Sequence, residues 1–72
     1  FVEISPGATL LGGSNIGDLT HVGANATILP NIKLGNNVTV GAGAIVTKAF
    51  ADNLVIIGIP AKIIREKNNY AI

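Results

Sequence analysis

The chain has 72 residues, 49% of them apolar and only 12% charged, with a net charge of +1. It is therefore limited to one small domain and is too apolar and too weakly charged to be disordered. The absence of cysteine excludes a disulfide scaffold or a Cys-based metal site, and five Lys and Arg against four acids leave no basic face for nucleic acid. A core of Ile, Val, Leu and Ala with 4% aromatics is expected to be barely stable alone in so short a chain.

The first eight elements follow a repeat of six. From Ile4, every sixth residue is aliphatic: Ile4, Leu10, Ile16, Val22, Ile28, Leu34, Val40 and Val46. Four residues after each come Ala8, Ser14, Thr20, Ala26, Ile32, Val38 and Ala44, all small or β-branched, and then Phe50, which breaks the pattern. Three residues after each come Gly7, Gly13, Leu19, Asn25, Asn31, Asn37, Gly43 and Ala49, and six of these eight are Gly or Asn. Gly and Asn enter the left-handed backbone region at least cost, so their fixed phase predicts a corner in every hexad. A helix is excluded by the period, and an ordinary hairpin sheet would alternate with period two over longer runs.

Each hexad thus reads as a short strand with one inward aliphatic, followed by a corner. Three hexads make one triangular coil, and coils stack as a parallel β-helix. The ladders predicted are Ile4 on Val22 on Val40, Leu10 on Ile28 on Val46, and Ile16 on Leu34. Residues 1–51 form the coils and residues 52–72 a closing segment. Within that segment, Leu54 to Ile57 reads as a final strand and Gly58 with Pro60 as a turn. Pro60 can open a short helix from Ala61 to Lys67, with Ile63 and Ile64 covering the open bottom of the prism. Asn68 to Ile72 is expected to be loose. The longest uncharged stretches, Ile4 to Gly17 and Leu34 to Thr47, are shorter than the ~20 residues of a membrane span and are broken by Gly and Asn. No signal peptide is visible at the start, and a cytoplasmic protein is expected.

These residues resemble a known family. Val22-Gly-Ala-Asn-Ala-Thr-Ile28 and the run from Leu34 to Lys48 look like the hexapeptide-repeat acyltransferases, and Ile57-Gly-Ile-Pro-Ala-Lys-Ile-Ile-Arg65 looks like their closing segment. Val2-Glu-Ile-Ser-Pro-Gly-Ala8 is similar to the corresponding motif of the sialic acid and bacillosamine acetyltransferase group, where His often stands in place of Glu3. The resemblance implies an all-β fold, a left-handed parallel β-helix, whose hand runs against the usual right-handed crossover rule. It implies a homotrimer with sites in the clefts between prisms. It also implies transfer of an acetyl group from acetyl-CoA to a hydroxyl or amine of a sugar or nucleotide sugar. The alternatives left open are a non-catalytic trimerisation module, the β-helix tail of a nucleotidyltransferase, and a serine-type O-acetyltransferase.

Acyl transfer of this kind needs a general base for the acceptor proton and donors for the oxyanion. By the resemblance the base is a His that would precede Phe1, so no catalytic residue is assigned within the chain. Glu3 occupies the place of a His that contacts the acyl-CoA. His21, the single His, stands 18 residues after Glu3 and 18 before Thr39. It reads either as a base or acyl-CoA contact oriented by Glu3, or as an exposed corner His beside a carboxylate. Gly12, Ala24 and Ala42 share the third hexad position, where little side chain blocks the backbone, and are candidates for the pantetheine arm. Lys48 and Lys62 are candidates for the CoA phosphates, since the cations gather in the last third of the chain. One His makes a zinc site of three His improbable, and no metal is expected.

Overall fold

The computed structural model describes residues 1–67, so the expectation for Asn68 to Ile72 lies outside the described residues. Seven corners turn through one residue each in the left-handed region: Gly7, Gly13, Leu19, Asn25, Asn31, Asn37 and Gly43, with φ between 57° and 80°. Leu19 is the exception among Gly and Asn, and its side chain is exposed. Between successive corners the backbone extends for only two residues. The strands are β1 (Glu3–Ile4), β2 (Thr9–Leu10), β3 (Asn15–Ile16), β4 (His21–Val22), β5 (Thr27–Ile28), β6 (Lys33–Leu34), β7 (Thr39–Val40) and β8 (Ile45–Val46).

These strands form three faces. β1, β4 and β7 pair in parallel on the first, β2, β5 and β8 on the second, and β3 with β6 on the third. The register sets Ile4 on Val22 on Val40, Leu10 on Ile28 on Val46, and Ile16 on Leu34, as the six-residue period predicts. Val22, Ile28, Leu34, Val40 and Val46 are at most 1% exposed, and Ala26, Val38 and Ala44 fill the corners beside them. Uniform mid-sized aliphatics suit such stacked rungs, which explains a core with almost no aromatic residue. Thr20 is the one buried polar residue among those described. Its hydroxyl donates to Gly35 O at 2.8 Å and accepts from Val38 N–H at 3.2 Å, so neither buried backbone group is left unpaired. The uppermost rung is open, with Ile4 42% and Leu10 39% exposed although both point inward.

The eighth hexad departs from the pattern. Phe50 forms a parallel bridge to Leu34, 16 residues earlier, and Val40 pairs with Ile56, again 16 residues apart. The corner between Val46 and Phe50 is therefore two residues shorter than those above it. Phe50 takes the inward place on the third face and is 8% exposed. The pattern break at Phe50 marks this shortening.

β9 (Leu54–Gly58) closes the first face parallel to β7, and β10 (Ala61–Glu66) returns antiparallel to β9. The helix expected from Ala61 to Lys67 is a strand instead. Seven residues are too few for a helix to persist without strong packing, whereas β9 offers an unpaired edge and Ile63 and Ile64 are β-branched. Gly58 turns with φ 108° ahead of a cis Ile59–Pro60 peptide. Ile63 and Ile64 do not cover the bottom of the prism either. They lie opposite Ile56 at a bulge on the outermost strand and are 50% and 56% exposed. Leu54, Ile56, Phe50 and Ala61 are the apolar residues buried at that end. Among the described residues no helix is long and apolar enough to cross a membrane.

Candidate functional site

Parallel register with an 18-residue coil stacks equivalent outward side chains in columns. Glu3 stands over His21 and His21 over Thr39 on the outer side of the first face. Residues two apart along a strand share a side, so Ser5 joins Glu3 there, and backbone bonds Glu3 N to Thr20 O at 3.0 Å and Ser5 N to Val22 O at 2.9 Å fix both. The two straddle the imidazole of the coil below. His21 Nδ1 lies 2.8 Å from Glu3 Oε1, and Nε2 lies 3.3 Å from Ser5 Oγ. A carboxylate only accepts, so Nδ1 carries the hydrogen in the neutral ring and Nε2 accepts from the Ser5 hydroxyl. The His21 and Glu3 side chains remain 46% and 62% exposed.

The candidate acyl-donor residues divide between two corners. Pro6, Ala24 and Ala42 stack at the corner between the first and second faces, held by Asn25 N to Pro6 O at 3.3 Å and Gly43 N to Ala24 O at 2.8 Å. Ala24 is half-buried and Ala42 exposed. Lys62 continues this side of the prism, because it pairs with Ile57, whose side chain lies against Gly41. Glu3 lies at the upper end of the same face. Gly12 and Lys48 belong to the next corner, between the second and third faces, where nothing lies within 4 Å of the space a Gly12 side chain would take. The Lys48 ammonium sits 5.7 Å from the centre of the Phe50 ring, within cation–π range. A single prism thus gathers Glu3, Ala24, Ala42 and Lys62 along one side and sets Gly12 and Lys48 on another.

Sequence reasoning missed two features. Ser5 lies inside the Val2–Ala8 motif, and its spacing of two from Glu3 is the signal that both share a side. The third face carries a cavity of about 320 Å³ between Asn15, Lys33, Asn36 and Asp52, with Gly17, Gly35, Ile16 and Leu34 around it. Its polar side chains are partly engaged: Asn36 Oδ1 accepts from Asp18 N–H and Asp52 Oδ1 from Asn36 N–H, each at 2.7 Å. Among the described residues no three His, Asp or Glu lie close enough together to hold a metal ion.

Residues 13–48, half of the chain, match the bacterial transferase hexapeptide family, a pattern of six repeats. The chain belongs to this family. This hexapeptide-repeat protein is 44% identical over 54 residues to a putative lipopolysaccharide biosynthesis O-acetyl transferase of Escherichia coli, a match covering 75% of the chain and 28% of that relative. Its fold superposes on the acetyltransferase domain of PglB from Neisseria gonorrhoeae, solved in complex with acetyl coenzyme A, with TM-score 0.86 and 38% identity over 88% of the chain and 31% of that structure. It is also similar to PerB from Caulobacter crescentus, solved with CoA and GDP-perosamine, with TM-score 0.82 and 35% identity over 83% of the chain and 29% of that structure. The hexapeptide-repeat coil is accordingly a left-handed parallel β-helix. The chain spans under a third of the length of these relatives.

Proposed function

We propose that this chain is part of an acetyltransferase that moves an acetyl group from acetyl-CoA to a hydroxyl or amine of a sugar or nucleotide sugar. The observation that carries the reading is the close superposition on a domain whose structure holds acetyl coenzyme A. A sugar acceptor is supported by the similarity to PerB, solved with GDP-perosamine. An acetyl-CoA donor goes with a cytoplasmic location, where that thioester is made and used.

The residues fit a long amide-rich donor. Ala24 and Ala42 stack without bulk at one corner and leave backbone groups approachable along the height of two coils, and Lys62 supplies a cation beyond them. Gly12 and Lys48 face another corner, and a homotrimer would reconcile the two sets. A donor lying in the cleft between prisms meets Glu3, Ala24, Ala42 and Lys62 of one protomer and Gly12 and Lys48 of its neighbour. Half-exposed Ile57, Ile63 and Ile64 and the more exposed Ile59 on the closing hairpin offer apolar surface for such an assembly. The thioester supplies the activated acyl carbon. The protein's part is to position it, to take the acceptor proton and to stabilise the oxyanion.

Titration calorimetry of the intact protein with acetyl-CoA tests the reading. Saturable binding is expected, and Ala42→Arg, which fills the open corner at an exposed position, should weaken it by about tenfold or more, equivalent to about 1.4 kcal/mol. Sedimentation equilibrium should return three times the chain mass. Absence of saturable heat with acetyl-CoA would overturn the proposal.

A further inference from the structure

We infer that Ser5, His21 and Glu3 form an acyl-accepting serine site on the outer side of the first face, taking acyl thioesters or activated acyl esters. Three features of a nucleophile-activating set coincide here. The Ser5 hydroxyl donates to His21 Nε2 at 3.3 Å, the opposite ring nitrogen donates to Glu3 at 2.8 Å, and the coil holds each flank through its backbone ladder. The carboxylate selects the tautomer that leaves the lone pair on the nitrogen facing the serine, which is the requirement for a base. The order of groups is nucleophile, base, orienter.

Stability does not account for the arrangement. Both partners of the His21–Glu3 pair are about half exposed or more, and exposed ion pairs contribute little to folding. That exposure also leaves the serine approachable from solvent. At the adjoining corner the residues following the first face are Pro6, Ala24 and Ala42, with the Asn25 side chain packed beneath Gly7. Along this column Glu3 and His21 are followed by Thr39 and Val55, with Arg65 opposite Val55 on the last strand.

The step is an acyl exchange. Ser5 Oγ attacks the carbonyl carbon and its proton passes to His21 Nε2. The tetrahedral intermediate collapses with cleavage of the carbon–sulfur bond, or of the carbon–oxygen bond of an ester. The leaving thiolate or alkoxide takes the proton back from Nε2. The products are O-acyl-Ser5 and the free thiol or alcohol, and water or a hydroxyl acceptor then frees the serine by the reverse use of the same base. His21 is the general base and Glu3 a positioning residue.

The inference stands on this geometry and does not depend on acetyl-CoA being the donor. The intact protein is mixed with p-nitrophenyl acetate, with p-nitrophenolate release followed by absorbance and the acetylated residue located by peptide mass mapping. One acetyl group on Ser5 is expected, with acylation slowed about a hundredfold in His21→Ala, within the usual range for a general base, and partly restored by added imidazole. Ser5→Ala should lose the labelled peptide while keeping its circular dichroism spectrum. In Glu3→Ala, nitrogen NMR of His21 should show the Nδ1–H tautomer giving way to a mixture. Acetylation elsewhere, or acetylation of Ser5 at an unchanged rate in His21→Ala, would overturn the inference. Acetyl-CoA binding without Ser5 acylation would refute this site while leaving the acetyltransferase reading standing. Ser5 acylation without acetyl-CoA binding would do the reverse.

Discussion

Replacing Gly23 with alanine tests how closely the coils approach one another. Gly23 is buried, and its N–H donates to Val40 O of the next coil at 2.9 Å. A Cβ at this position would lie 2.7 Å from both Val40 O and Ala42 N and 2.9 Å from Gly41 C. These are backbone atoms inside a ladder, so no side-chain rotation relieves the contact, and the coils must part by several tenths of an ångström. Overpacking of this kind costs about 1–3 kcal/mol. The loss of chain freedom in the unfolded state works the other way by about 0.4–1 kcal/mol, leaving a net destabilisation of about 1–2 kcal/mol. Two other glycines separate the contributions. Gly12 has open space, so Gly12→Ala should be neutral or stabilising by about 0.4–1 kcal/mol. Gly43 also has open space but sits at φ +72°, so Gly43→Ala meets only the left-handed penalty of about 1–2 kcal/mol less the same entropic gain. Urea unfolding of the intact variants gives the order of midpoints. With slopes of about 1–3 kcal/mol per molar, the Gly23 variant should unfold roughly 0.3–2 M earlier. A Gly23→Ala midpoint equal to that of Gly12→Ala would refute the argument from coil contact.

Two further substitutions address the interior. Thr20→Val keeps the shape but leaves Gly35 O and Val38 N without their side-chain partner, so a loss of about 1–3 kcal/mol is expected in the same urea titration. A value near zero would mean that another group takes over. Leu34 is 1% exposed between Ile16 and Phe50, and Leu34→Ala should cost about 2–5 kcal/mol, measured by thermal unfolding. A change below about 1 kcal/mol would imply that the Phe50 ring moves in to fill the space.

The coil was legible because its two determinants are local and repeated. A single inward aliphatic per hexad and a left-handed corner three residues on need no knowledge of distant contacts, and together they give the ladders from Ile4 to Val46. Leu19 was the corner hidden from composition: the corners before and after it are Gly13 and Asn25, and only the phase of the repeat places it in the left-handed region. The closing segment was less legible because its structure is decided by a neighbour. Ala61 to Glu66 has the residues of either a short helix or a strand, and the free edge of β9 settles the matter. The shortened corner before Phe50 was visible as a broken pattern but not as a deletion, since one aromatic residue can disturb a register or shift it. In the candidate site, the column of Glu3, His21 and Thr39 follows from spacing alone. The use of both imidazole nitrogens depends on rotamers that spacing does not determine. The division of Gly12 and Lys48 from Ala24 and Ala42 was implicit in the three-cornered coil, since equivalent hexad positions recur on successive corners before they recur on the same one.

The shortened last corner and the antiparallel return of β10 give the solenoid a direction. Identical coils related by a screw translation could slide by a whole repeat and still match every rung. The missing two residues break that symmetry and act as a fiducial mark from which all other rungs are counted. At the same end, β10 offers an outer edge bearing Lys62, Arg65, Glu66 and a bulge, features that discourage another strand from docking. At the opposite end, β1, β2 and β3 present open edges over half-exposed Ile4 and Leu10. The closing end of the stack thus resists edge-to-edge growth, and its shortened corner sets the register of every coil above it.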